Sequence, residues 1–388
     1  MMKMKIWPLI IGFGLALSPI HNQWLTDLAT NSKGETLFFL PTLGYLMWIL
    51  GAGFFLVNNW DRVKEIGWGD RKLVIPLFIV ILAMGISGFV NADGISDRVA
   101  PLFMGLSLFA IYLTARVLGK DVFIALIPFV ILSTVISVVN GIIHPGVFAA
   151  DVGSAVLITN YCAAAGYLIF GGIVNQGRWQ WILLVIMLVG VFFVGVLEAV
   201  FILGVLGLVV LVRQDFGKPF IITAGVLMLI AGIWLSLGHL MTLYTGNHNV
   251  EILRDIVVGN IPLTNDSVNQ LTSGRWIVIL NALQDIGLFG HGYSLSTVSG
   301  GIVHNIPLIV IHQIGWVGGL AWLFVMVWCL IKTRWKYAWI AVLAMGVFDH
   351  YLWTQFPPYV WALMGVSTTS TISCDLIFRK PKTGVVIQ

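Results

Sequence analysis

His304 and Asn305 lie where a long polar stretch gives way to an apolar run, and Gly315-Trp316-Val317-Gly318 follow within that run. A neutral imidazole can take the proton of a weak nucleophile, such as a hydroxyl, as it attacks. Asn305 beside it can hydrogen-bond a polar substrate, or simply cap the helix that follows. Upstream, Arg275-Trp276 opens a segment of helical periodicity. A guanidinium stays charged and grips phosphate oxygens in a fork, so Arg275 suits a leaving group on which negative charge develops. The plainer reading of Arg275 is a surface cation on lipid headgroups.

Further candidates share the same side of the predicted topology. Arg254 and Arg98 are cations that can bind a substrate phosphate, yet each adjoins an acid, Asp255 and Asp97, and so can form a structural ion pair. His291 lies in the glycine stretch Gly287-Leu288-Phe289-Gly290-His291-Gly292 and can contact sugar or phosphate. Glu198, at a predicted outer helix end, can orient a donor or act as an alternative base. His312 reads as a buried, hydrogen-bonded residue, and Trp353 as a ring on which a sugar can stack, though most tryptophans here read as packing or interface residues.

The elements that must hold these residues are membrane helices. Of the 388 residues, 59% are hydrophobic and 10% charged, and mean hydropathy is +0.96. Soluble domains carry about 25% charged residues. Apolar runs near the ~20 residues that cross a bilayer recur at 6–20, 36–58, 73–91, 100–118, 122–142, 154–174, 180–197, 199–213, 220–238, 304–331, 336–349 and 358–378. They predict an all-α polytopic membrane protein with about twelve transmembrane helices, the first a retained anchor. With the N-terminus in the cytoplasm, 17 of the 21 lysines and arginines fall on the cytoplasmic side. Only Lys33, Arg98, Arg254 and Arg275 fall outside, so the positive-inside rule favours both termini in the cytoplasm.

The chain therefore reads as a single integral membrane domain, 1–388, with one long external loop, 239–303. Within that loop Trp276, Ile279, Leu280, Leu283 and Ile286 share a helical face and predict an amphipathic helix at the membrane surface. Ser273 is expected to cap it, and the glycines that follow are expected to form a flexible connection to His304. Cys162, Cys329 and Cys374 lack the spacing of a zinc site or a disulfide framework. No phosphate-binding loop, dinucleotide fingerprint, nucleophile elbow or His-Glu-x-x-His pair occurs, and nothing suggests nucleic acid. Ionisable groups gather at the outer boundary rather than the bilayer midplane, where a proton-coupled carrier would place them. That suits a reaction between a lipid-borne group and something outside.

Arg275-Trp276, the glycine stretch 287–292 and the His304 motif occur in the order found in the O-antigen ligase and O-antigen polymerase superfamily, which this chain resembles. Ligases of that family carry His, then Asn, Ser or Gln, nine residues, Gly, two residues, and Gly, Thr or Tyr; His304-Asn305, Gly315 and Gly318 satisfy the pattern. The motif region covers about 274–320, and the hydropathy pattern covers the whole chain. The resemblance implies a GT-C-type membrane glycosyltransferase, inverting and without a metal or other cofactor. Its donor would be a glycan on undecaprenyl pyrophosphate at the periplasmic face of the bacterial inner membrane. Its acceptor would be lipid A-core for a ligase, or another lipid-linked glycan for a polymerase. His304 would be the base, Arg275 the pyrophosphate ligand, and Glu198 a further catalytic group. Arg254, Arg98, His291 and Asn305 would bind substrate. Many members carry Ser-Arg where a middle helix leaves the outer face; this chain has Leu197-Glu198-Ala199, so a second pyrophosphate arginine would come from Arg98 or Arg254. A lipid-linked oligosaccharide transporter and a non-enzymatic scaffold are the other classes.

Overall fold

A computed structural model describes residues 3–18, 43–91, 95–123, 248–272, 274–292, 303, 305–333, 335–348, 353 and 356–368, with a few single helical positions between 128 and 139. The predicted spans from 154 to 238, together with His304 and Glu198, lie outside the described residues. Among the described residues the fold is all helical, without a strand. In chain order these are α1 (Lys3–Leu17), α2 (Leu43–Asn58), α3 (Trp60–Ile66), α4 (Arg71–Asn91), α5 (Ile95–Leu118), α6 (His248–Val258), α7 (Asn265–Leu271), α8 (Arg275–Gln284), α9 (Ile306–Lys332), α10 (Lys336–Phe348) and α11 (Pro357–Ser367).

Among the described residues, three helical stretches are long and apolar enough to cross a membrane: Arg71–Asn91, Arg98–Phe123 and Ile306–Lys332. A fourth arises if α2 and α3 are taken as one span, but the chain bends by 82° between them. The bend follows the sequence. Apolar α2 ends at Asn58-Asn59, and α3 reads Trp-Asp-Arg-Val-Lys-Glu-Ile, with only Val63 buried. A segment of that polarity is unsuited to continue an apolar span, and the chain turns where the polarity changes. Outward faces of the long helices carry Ile75, Leu82 and Phe89 on α4, Phe103 and Leu106 on α5, and Leu320, Phe324 and Ile331 on α9. Apolar surface of this extent calls for lipid rather than water.

Helices α4 and α9 pack antiparallel, and small residues set how close they come. A Cβ on Gly318 would lie 2.5 Å from the Ala83 Cβ, so the glycine permits backbone approach of the kind membrane helices use in place of hydrophobic drive. The core between the helices is aromatic-rich, with Trp48, Trp339, Trp353, Trp361, Tyr112 and Phe55 among its fully buried side chains.

The two ends of the bundle differ chemically. At one end Arg116, only 6% exposed, donates to the carbonyl oxygens of Thr368 (2.7 Å) and Ile66 (3.4 Å), and the Tyr112 hydroxyl donates to the Trp68 carbonyl at 3.0 Å. These bonds tie α5 to α3 and to the end of α11, whose last carbonyls would otherwise lack partners. At the other end, the C-terminus of α4 and the N-terminus of α9 meet the segment that follows α8. The candidate site is built there.

Candidate functional site

Asn305 opens α9. Its side-chain oxygen accepts from the Leu308 N–H (3.0 Å), and its amide donates to the Val347 carbonyl (3.1 Å). The side chain assigned to substrate binding is thus a helix cap that also fastens α9 to α10, using both faces of its amide. Pro307 follows in the first turn, where its missing N–H costs nothing.

The helix so begun does not run straight through. Gly315 has φ 76 and ψ 177, a conformation reserved for glycine, and it breaks α9. The carbonyls before the break lose their helical donors and find others. The Ser87 hydroxyl of α4 donates to the Gln313 oxygen (2.5 Å), and the backbone N–H of His291 donates to the His312 oxygen (2.9 Å). Ser87 Oγ in turn accepts from the Gly292 N–H (3.1 Å), and the Asn91 amide donates to the Gly290 carbonyl (3.1 Å). The Gln313 side chain accepts from Trp353 Nε1 at 2.9 Å.

Of the glycine connection expected to be flexible, the part with Gly300 and Gly301 lies outside the described residues, while the described part, 287–292, is docked. Its backbone lies so close to the break that a Cβ on Gly315 would collide with the Leu288 carbonyl and sit 2.8 Å from the Gly290 nitrogen, while one on Gly290 would run into the Gln313 carbonyl. Leu288 and Phe289, at the tip, leave their side chains exposed.

Helix α8 delivers this stretch. The sequence expectation of a helix opening at Arg275 is met, but its start is organised differently. Gly274 occupies the cap position with a left-handed φ of 87 and offers no side chain. Thr272 Oγ1 accepts from the Trp276 N–H (3.0 Å) and Asn269 Oδ1 from the Ile277 N–H (3.0 Å). Thr272 and Asn269 thus take the role expected of Ser273, which lies outside the described residues. Upstream, α7 begins with a capping box between Thr264 and Ser267, and Trp276 Nε1 donates to Asn265 at 3.1 Å. The buried face of α8 is Val278 and Ala282, flanked by Ile279, with Ile286 just past its end, while Ile277 and Leu283 are exposed. The expected apolar face is therefore turned by about one residue, because the helix packs on α9 rather than only resting on lipid.

Beside the break, the His291 and His312 rings stack, with centroids 4.5 Å apart and planes at 27°. His291 Nε2 lies 3.5 Å from Asp285 Oδ1 and 2.5 Å from the Asp285 backbone oxygen. His312 is fully buried. The expectation that it is hydrogen-bonded fails: among the described residues neither of its ring nitrogens has a partner.

The other candidates disperse. Arg275, half-buried, stands at the start of α8 and Asp285 just past its end. At 1.5 Å per residue that is about 15 Å, so Arg275 and the His291–His312 pair are separate features. Arg254, on α6, forms an exposed ion pair with Asp255 at 3.2 Å, as its neighbour in sequence suggested. Arg98 is exposed in the first turn of α5, where its backbone oxygen lies near Gly88 of α4. This puts it at the same end as Asn91. Trp353 is 1% exposed and packs edge-on against Trp322 at 5.8 Å, so it supports the core and is not a platform for a sugar. Ser87, Asn91 and Gln313 escaped the sequence reading, although polar side chains within apolar runs were the signal.

No family model matches the sequence. No curated protein matches it significantly.

Proposed function

We propose that this protein is a membrane glycosyltransferase of the O-antigen ligase type. It takes a saccharide from undecaprenyl pyrophosphate and passes it to a hydroxyl of lipid A-core at the periplasmic face of the inner membrane. One observation supports this reading above the rest. Two of the stretches that carry the resemblance, Gly287–Gly292 and the glycine of the His304 motif, meet backbone to backbone at the break in α9. Spacing that is only a pattern in the sequence thus corresponds to one physical assembly.

In the proposed reaction His304 removes the proton of the acceptor hydroxyl. The oxygen attacks C1 of the donor sugar, the C1–O bond to the pyrophosphate breaks with inversion, and undecaprenyl pyrophosphate leaves. Arg275, with Arg98 or Arg254, holds the charge that develops on the pyrophosphate. The Arg116 end of the bundle then faces the cytoplasm and the Asn91 end the periplasm. The protein in detergent, given an undecaprenyl-pyrophosphate oligosaccharide, should release undecaprenyl pyrophosphate only when lipid A-core is present and only with His304 intact. Release from donor alone, with longer lipid-linked glycans as product, would make it a polymerase of the same superfamily.

A broken membrane helix also suits a transporter, since carriers build their sites at such breaks. Lipid-linked glycan that crosses liposome membranes without covalent change would favour that reading.

A further inference from the structure

His312 presents an unusual combination. It is fully buried, carries two polar ring nitrogens, and among the described residues neither has a hydrogen-bond partner. Leaving such a group unsatisfied costs about 1–3 kcal/mol. The ring has company of one chemical kind: His291 is stacked on it and Asp285 is next to His291. One ligand atom from each of the three lies within 4.8 Å of the others.

We propose that Asp285, His291 and His312 bind a divalent transition-metal ion, of the chemistry of Zn²⁺. Two imidazoles and a carboxylate are a donor set for zinc, with bonds of about 2.0–2.2 Å and a fourth position left open. In a tetrahedron of that size neighbouring ligand atoms are about 3.4 Å apart, and His291 Nε2 and Asp285 Oδ1 already stand at 3.5 Å. The remaining approach, from at most 4.8 Å to about 3.4 Å, is a contraction of up to about 1.4 Å. Without the ion, His291 Nε2 donates to the Asp285 carbonyl; binding exchanges that hydrogen bond for a coordinate bond. Hard ions such as Mg²⁺ prefer an all-oxygen shell and are poorly served here.

The three ligands come from two elements. Asp285 precedes the docked glycine stretch and His291 lies within it, while His312 belongs to α9 just before the break. An ion between them would lock the extramembrane segment onto the broken helix. It would be a latch, since Arg275 stands about 15 Å away at the far end of α8. This inference does not rest on the glycosyltransferase reading, and its test reads metal directly.

The full-length protein, purified without a histidine tag and stripped with a chelator, is to be titrated with Zn²⁺ and then analysed for bound metal after gel filtration. The expected result is one Zn²⁺ per chain and a thermal midpoint raised by several degrees. Asp285→Asn alters an exposed side chain and leaves the fold intact; it should lower retained zinc at least tenfold and abolish the thermal shift. His312→Gln should do the same, and Mg²⁺ should not displace the zinc held by the wild-type protein. Stoichiometric binding that persists in Asp285→Asn and His312→Gln alike would overturn the proposal, as would no retained zinc in the folded wild-type protein.

Discussion

Replacing Gly315 by alanine separates two costs that are usually entangled. Gly67 and Gly315 have nearly the same backbone conformation, φ 73 and ψ 169 against φ 76 and ψ 177. A side chain in that region costs about 1–3 kcal/mol wherever it occurs. A Cβ on Gly67 would meet nothing within 4 Å, whereas one on Gly315 would collide with the Leu288 carbonyl. Gly67→Ala therefore measures backbone strain alone. Gly315→Ala adds the displacement of the docked segment, and with it three bonds: His291 N–H to His312, Gly292 N–H to Ser87, and the Asn91 amide to Gly290. At about 1 kcal/mol each, Gly315→Ala should be less stable than Gly67→Ala by about 3 kcal/mol. Thermal or denaturant unfolding in detergent gives the two values. Hydrogen exchange gives the mechanism: the His291 and Gly292 amides should lose protection in Gly315→Ala and keep it in Gly67→Ala. Equal destabilisation by the two substitutions, with both amides still protected, would refute the docked arrangement.

Ser87→Ala removes a hydroxyl that both donates to Gln313 and accepts from Gly292. It leaves two buried groups unsatisfied and should destabilise by about 2–3 kcal/mol, more than Ser107→Ala, whose hydroxyl bonds only within its own helix. Trp353→Phe and Gln313→Leu each break one buried bond; the double variant should fall short of the sum of the singles by about 1 kcal/mol in a double-mutant cycle. Asn305→Ala should lose about 1 kcal/mol of capping while retaining measurable glycan transfer. His304→Ala should keep its thermal midpoint and lose transfer altogether. Transfer at the wild-type rate in His304→Ala would remove the assigned base.

The helices were legible because their signal is length and apolar content. The runs at 73–91, 100–118, 304–331 and 336–349 become α4, α5, α9 and α10 with ends within a few residues, though α5 starts five residues early at Ile95. The 82° turn at Asn59 was visible as a change in polarity, but hydropathy carries no direction. The site was legible only as a set of stretches. That the glycines at 287–292 and Gly315 belong together depends on a long-range backbone approach, and no local periodicity encodes it. Asn305 shows the limit from the other side: its type and position fitted both a substrate ligand and a cap, and the bonds to Leu308 and Val347 show the cap. Ser87 and Asn91 were overlooked for want of charge, although a hydroxyl and an amide are what an interrupted helix needs from its neighbour.

The break in α9 also divides an electric field. A continuous helix of this length would carry one macrodipole, with its poles at Ile306 and Lys332. Interrupted at Gly315, it becomes two, each with about half a unit charge at either end. The negative pole of the first half and the positive pole of the second then face each other at the break. The first is screened by the donors that converge on it, the Ser87 hydroxyl and the His291 amide. The docked segment and Ser87 together thus supply at the break the hydrogen-bond donors that hydrocarbon lacks, and a dipole end is held there that apolar surroundings alone could not hold.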